Sequence, residues 1–246
     1  FLEAPLLGVI IGLLLKYSPA SDYSLYDNKY LVTFIFLSTI VTIFFALTNS
    51  IDEIIRDASI LLREKMLDIN SLEYYISKFI TLVVFSVVQN ILFLSLGFWI
   101  LEMKELFFEY LLITTFVSVS GICMGLAISA IPKLTSKAAQ NIIPLILVPQ
   151  IIFGGFIVEF EDMNKVLFIN KKAPIPEMCQ IMPSRWGFEA LCIMQDTGNS
   201  FHPSYDKIQN KLDDLILNEK EYTEKLGRRE YKKEKNILLE DLDRIR

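Results

Sequence analysis

The chain has 246 residues, 52% of them hydrophobic and 22% charged, with a mean hydropathy of +0.41 and a net charge of −5. That balance excludes the basic footprint nucleic-acid binding needs, so no nucleic-acid partner is expected. Three cysteines (Cys123, Cys179, Cys192) and one histidine (His202), with no CxxC and no His pair, leave too few ligands for a metal site and no catalytic constellation.

The hydropathy is unevenly spread: residues 1–160 are mostly long apolar runs, and residues 205–246 are mostly charged. A helix needs about 20 apolar residues to cross about 30 Å of hydrocarbon. Five segments meet or approach that length. The first is Phe1–Leu15; Ser18-Pro19-Ala20-Ser21 after it has the outline of a leader cleavage site, but Glu3 and Pro5 stand where a basic start belongs. The second is Leu31–Leu47, preceded by the interfacial aromatics Tyr26 and Tyr30. The third is Phe79–Leu101, the fourth Leu106–Ile131 and the fifth Ile142–Val158. These runs are apolar all round for several turns, which a soluble core helix is not. The fold class is therefore all-α: a polytopic transmembrane helix bundle with five spans.

Between the second and third spans lies a segment too long for a simple joint, since helix hairpins usually use about 2–8 residues. Ser50-Ile51-Asp52-Glu53 has the capping-box pattern. Ile51, Ile54, Ile55, Ala58, Leu62 and Met66 then recur at helical spacing. Charged residues fill the other face, with Asp52 and Arg56 in the favourable i,i+4 order. This predicts an amphipathic surface helix that docks a partner, followed by a second cap at Asn70-Ser71-Leu72-Glu73. Arg56, Arg63, Lys65, Lys78, Lys133 and Lys137 collect on one side, against Lys16, Lys29 and Lys104 on the other. The positive-inside rule puts residues 50–78 and 132–138 in the cytoplasm, and the chain is expected in the inner (plasma) membrane.

Gly121 and Gly125 have the spacing that lets a second helix approach the fourth span closely. Gln89 and Asn90 on the third span, and Gln140, Asn141 and Gln150 on the fifth, must face the bundle or a cavity. Pro144, Pro149 and Gly154-Gly155 make the fifth span bent and pliable. Residues 161–203 read as an extracytoplasmic mixed loop; Cys179 and Cys192 fall in it, as a disulfide or as two free thiols. His202 is a plain loop residue. Residues 204–246 read as a charged helical extension of that loop, with thin apolar stripes at Ile208, Leu212 and Leu215 and at Leu238, Leu242 and Ile245.

Three stretches together resemble the membrane domains of ABC type-2 exporters, the ABCG-like branch in particular. They are Glu53-Ile54-Ile55-Arg56-Asp57 with Arg63-Glu64-Lys65-Met66 and Tyr74-Tyr75-Ile76-Ser77-Lys78; Gly125-Leu126-Ala127-Ile128-Ser129-Ala130; and Pro149 to Gly155 followed by Met182-Pro183-Ser184-Arg185-Trp186-Gly187-Phe188-Glu189-Ala190-Leu191. The resemblance covers residues 1 to about 192. It implies a permease dimer, with a second membrane half expected to be a copy of this one, rocked between inward- and outward-facing states by ATPase domains docked on residues 50–78. Glu53, Arg56, Asp57, Arg63 and Glu64 would then transmit force. Thr42, Phe45, Asn49 and Gln150 would line the transport cavity, and Phe156 and Ile157 would stand at an outer gate where the family has two leucines. ATP and Mg would sit on the ATPase partner, because no GxxxxGK[ST] phosphate loop occurs in this chain and no cofactor is expected on it. The family's sixth span is expected beyond Arg246. The alternatives are an ATPase-independent channel or secondary-transporter subunit, and a membrane-anchored scaffold with a charged tail. The first would favour an internal repeat and a mid-membrane ionisable residue, neither of which is visible.

Overall fold

In the computed structural model the described residues are 2–16, 29–64, 71–103, 106–158, 160, 163 and 175–198, with short pieces at 211–212, 216, 232–233 and 235–239. Eight helices and no strand form among them: α1 Glu3–Leu15, α2 Lys29–Ser50, α3 Glu53–Glu64, α4 Ser71–Leu101, α5 Phe107–Ser129, α6 Ser136–Ile152, α7 Glu177–Gln180 and α8 Pro183–Gly198. Three helices carry runs long and apolar enough to cross a membrane: α2, α4 and α5. The chain is thus a helical membrane bundle. Of the five predicted spans, α1 with 13 residues and α6 with 17 are shorter than a full crossing.

Helix α2 runs through the middle of the bundle, touching α1, α4, α5, α6 and α8. Its phenylalanines build the core: Phe34 stacks with Phe93 at 6.5 Å between ring centroids, and Phe45 meets Phe93 edge-on at 6.2 Å. Helices α4 and α5 turn their other faces outward, leaving Val84, Leu112 and Phe116 exposed, as hydrocarbon requires. Small residues set the closest approaches. A Cβ at Gly121 would stand 2.7 Å from Ala46 Cβ, and one at Gly125 would overlap the Ser50 hydroxyl. The glycine pair read from the sequence is the seam between α2 and α5. On α1, Gly8 and Gly12 play the same part against Phe93 and Ile100 of α4.

Two boundaries differ from expectation. Helix α6 starts at Ser136, six residues before the predicted span, where the Thr135 hydroxyl accepts from the Ala138 N–H at 3.3 Å. It ends at Ile152, and the chain turns away through Gly155 at φ +83, a conformation open to glycine. Secondly, residues 183–198 are helix and not mixed loop. Pro183 supplies a preset first-turn φ, and Ser184, Gly187, Leu191 and Gln195 are buried along one face at helical spacing. Gly187 lets α8 settle against Val117 and Thr39. Between α5 and α8 an apolar groove of about 500 Å³ opens beside Phe116 and Trp186.

Candidate coupling site

Helix α3 is fixed at its start by atoms from two other helices. The Asp52 carbonyl accepts the first helical bond from the Arg56 N–H at 2.9 Å, so Asp52 holds the N-cap position. The predicted capping box does not form. Ser50 is still the last residue of α2, and its hydroxyl donates to the Ala46 carbonyl at 2.6 Å. Glu53 is taken up by cations instead. The cap comes from the end of α5: Ser129 Oγ accepts from the Ile54 N–H at 2.9 Å and the Ile55 N–H at 3.3 Å. Nothing local in the sequence could reveal it, because the two partners are 75 and 74 residues apart.

The polar face of α3 is tied to the start of α4, ahead of the apolar run from Phe79. Lys78 Nζ lies 2.8 Å from Glu53 Oε1 and 2.7 Å from Asp57 Oδ2, and the Tyr74 hydroxyl donates to Asp57 Oδ2 at 2.9 Å. Arg56 donates to Glu53 at 2.7 Å and lies 3.5 Å from Asp52. The hydrogen bond from Lys78 holds the Asp57 carboxyl below its ordinary range; burial opposes this and Tyr74 adds to it. Burial works against the Lys78 charge, but its bonds to Asp57 and Glu53 outweigh that and raise its pKa. Burial and then the bond to Asp57 raise Tyr74 in turn. The shifts of Asp57 and Lys78 both favour the charged pair at neutral pH. Sequence reasoning placed Glu53, Arg56 and Asp57 together but missed Lys78 and Tyr74 as their partners, although both stood in the stretch that carried the family resemblance. The side chains of Arg63 and Glu64, with Leu62, Met66 and the predicted cap residue Asn70, lie outside the described residues.

The predicted cavity residues sit elsewhere than on an open wall. Thr42 and Phe45 are fully buried within the chain. Asn49 donates to Gln89 of α4. Gln150 is 3% exposed and anchors α8: its side-chain oxygen accepts from the Ser184 N–H at 3.1 Å, and its carbonyl, one of the last in α6, accepts from the Ser184 hydroxyl at 2.7 Å. The polar residues that do reach the surface of α6 are Gln140 and Asn141, beside exposed Leu145 and Val148. Of the gate pair, Phe156 stacks on Phe36 at 4.8 Å and meets Phe188 at 5.9 Å, whereas Ile157 is exposed. Cys179 and Cys192 are both free thiols, so the disulfide alternative is not realised. Cys179 is buried with its sulfur 3.8 Å from that of Met163, and Cys192 packs against the α2–α5 core. Burial pushes the Cys179 thiol up, with Arg185 partly offsetting it. His202 lies outside the described residues.

A bundle of apolar helices with a short polar-faced helix clamped across one end, and a second short helix packed into the other, fits the membrane-embedded permease part of a transporter. The model for the ABC-2 type transporter family matches residues 1–195, and the chain belongs to that family. No curated protein and no solved structure matches it.

Proposed function

We propose that this chain is the membrane half of an ATP-driven exporter in the inner (plasma) membrane, and that α3 is where its ATPase partner engages. The observation that carries this is the double attachment of α3, capped by Ser129 of α5 and ion-paired to Lys78 of α4. A helix that merely joined two spans would need no such fixing. A helix that receives a push must not slip. Arg56 keeps 59% of its side chain exposed although its guanidinium touches Glu53, so it is open to a partner. ATP and Mg belong to the ATPase domain, whether fused or separate.

A second copy of the membrane half completes the path. On α6, Gln140 and Asn141 with Leu145 and Val148 form a mixed exposed face at the start of the fifth span, and such polar side chains sit better against protein or water than lipid. This face is proposed to meet the partner copy and the substrate. Thr42, Phe45, Asn49 and Gln150 would reach the path only when α2 and α6 part from their neighbours during the outward swing. Phe156 and Ile157, just beyond the end of α6, would close the outer side.

The test is hydrolysis by the intact transporter in proteoliposomes. Arg56→Glu should leave the assembled protein monodisperse but lower its ATPase rate at least several-fold. An unchanged rate and unchanged co-purification of the ATPase domain would refute docking on α3.

A further inference from the structure

The attachments of α3 differ in kind, and that difference has a mechanical consequence. Towards α5 they are directional and buried. Ser129, 3% exposed, accepts from two successive amides of α3 that have no carbonyl of their own helix to bond. One turn earlier, Gly125 brings the α5 backbone against Ser50 and the Ile51 N–H, so the elbow from α2 into α3 has no room to slide along α5. Towards α6 the contact is apolar, the elbow residue Ile51 with Ala139 and Ile143 and Ile55 of α3 packed against them, plus one long bond of 3.5 Å from Ser136 to the N-cap residue Asp52. Apolar surfaces slide past each other in small shear motions, whereas a buried amide that loses its acceptor is left unsatisfied.

We infer that Ser129 is a positioning residue that locks α3 and the end of α5 into one rigid unit, so that a push on α3 moves α5 with it while α6 shears past. This rests on the reading of α3 as the ATPase contact. It adds a route: the stroke enters the bundle through the third and fourth spans, which Lys78 and Ser129 tie to α3, and the fifth moves relative to them.

The experiment is pulsed electron resonance on the intact transporter in nanodiscs, with the native cysteines replaced and nitroxides at exposed positions. One pair joins Ile60 on α3 to Ala127 on α5, and the other joins Ile60 to Gln140 on α6. Each is measured without nucleotide and with ATP trapped by vanadate. The 60–127 distance should be the same in both states, and the 60–140 distance should shift. In Ser129→Ala the 60–127 distance should become nucleotide-dependent, with ATP turnover continuing. Ser129→Thr, which keeps the acceptor, should restore the fixed distance. A 60–127 distance that moves in the unsubstituted protein, or stays fixed in a monodisperse Ser129→Ala variant, overturns the inference. If neither pair responds to ATP while hydrolysis proceeds, the reading of α3 as the driven element fails, and the lock fails with it.

Discussion

Substitution of Gly125 by alanine tests the seam that sets the elbow of α3. The new methyl would overlap the Ser50 oxygen and come within 3.0 Å of Ser50 Cβ and 3.3 Å of the Ile51 nitrogen. Carbon atoms prefer about 3.5–4.0 Å, so α2 and α5 must part by roughly half an ångström or more even after the hydroxyl has moved. Overpacking of this kind costs about 1–3 kcal/mol. The displaced hydroxyl also gives up its 2.6 Å bond to the Ala46 carbonyl, about 1 kcal/mol more. Against this, alanine is the better helix former by about 1 kcal/mol. The balance is a loss of roughly 2 kcal/mol, readable as a lowered Tm in lipid–detergent micelles. Ser50→Ala with Gly125→Ala removes the overlapping oxygen and should recover about 1 kcal/mol relative to the sum of the single changes. Gly121→Ala, whose nearest obstacle is a methyl at 2.7 Å, should be milder. A Gly125→Ala protein as stable as the parent, or a double variant showing no relief, would refute the packing argument.

Three further outcomes follow from the same geometry. Asp57→Asn should destabilise the protein near neutral pH, and the gap to the parent should shrink as pH falls below about 4. A carboxyl whose folded pKa is depressed contributes above its unfolded value of about 3.9 and loses that contribution as pH falls through the folded one, so thermal melts against pH check the sign. Gln150→Leu removes the acceptor of the buried Ser184 amide and should cost about 1–3 kcal/mol; faster hydrogen exchange across residues 183–198 with little change in α4 is the expected signature. Mass spectrometry of the denatured, unreduced protein after alkylation should find Cys123, Cys179 and Cys192 all modified, and a Cys179–Cys192 linked peptide would contradict the structure.

Much of the bundle is written in local pattern. The runs that became α2, α4 and α5 are long and apolar, and length alone decides that they can cross a bilayer. The α3 stripe was equally legible, because Ile51, Ile54 and Ile55 repeat at the helical period. Helix α8 was hidden by composition: Pro, Arg, Trp and Glu made 183–198 look like loop, although its buried face has the same period. At the coupling site the charged residues were visible, but their partners were not. Lys78 reaches Glu53 across 25 residues and Ser129 reaches Ile54 across 75, contacts that only the folded chain brings together. Polarity left Gln150 facing either the bundle or a cavity, and in the folded chain its side chain holds α8.

The most direct test of the account is photocrosslinking in intact cells, with a photoreactive amino acid placed at Ile60 on α3 and, separately, at Ile181 beside α8; both side chains are exposed. An adduct with the ATPase domain from position 60 and none from position 181 is the predicted result. An adduct from position 181, or none from position 60 in a transporter that still hydrolyses ATP, would contradict the claim that α3 is where the ATPase engages.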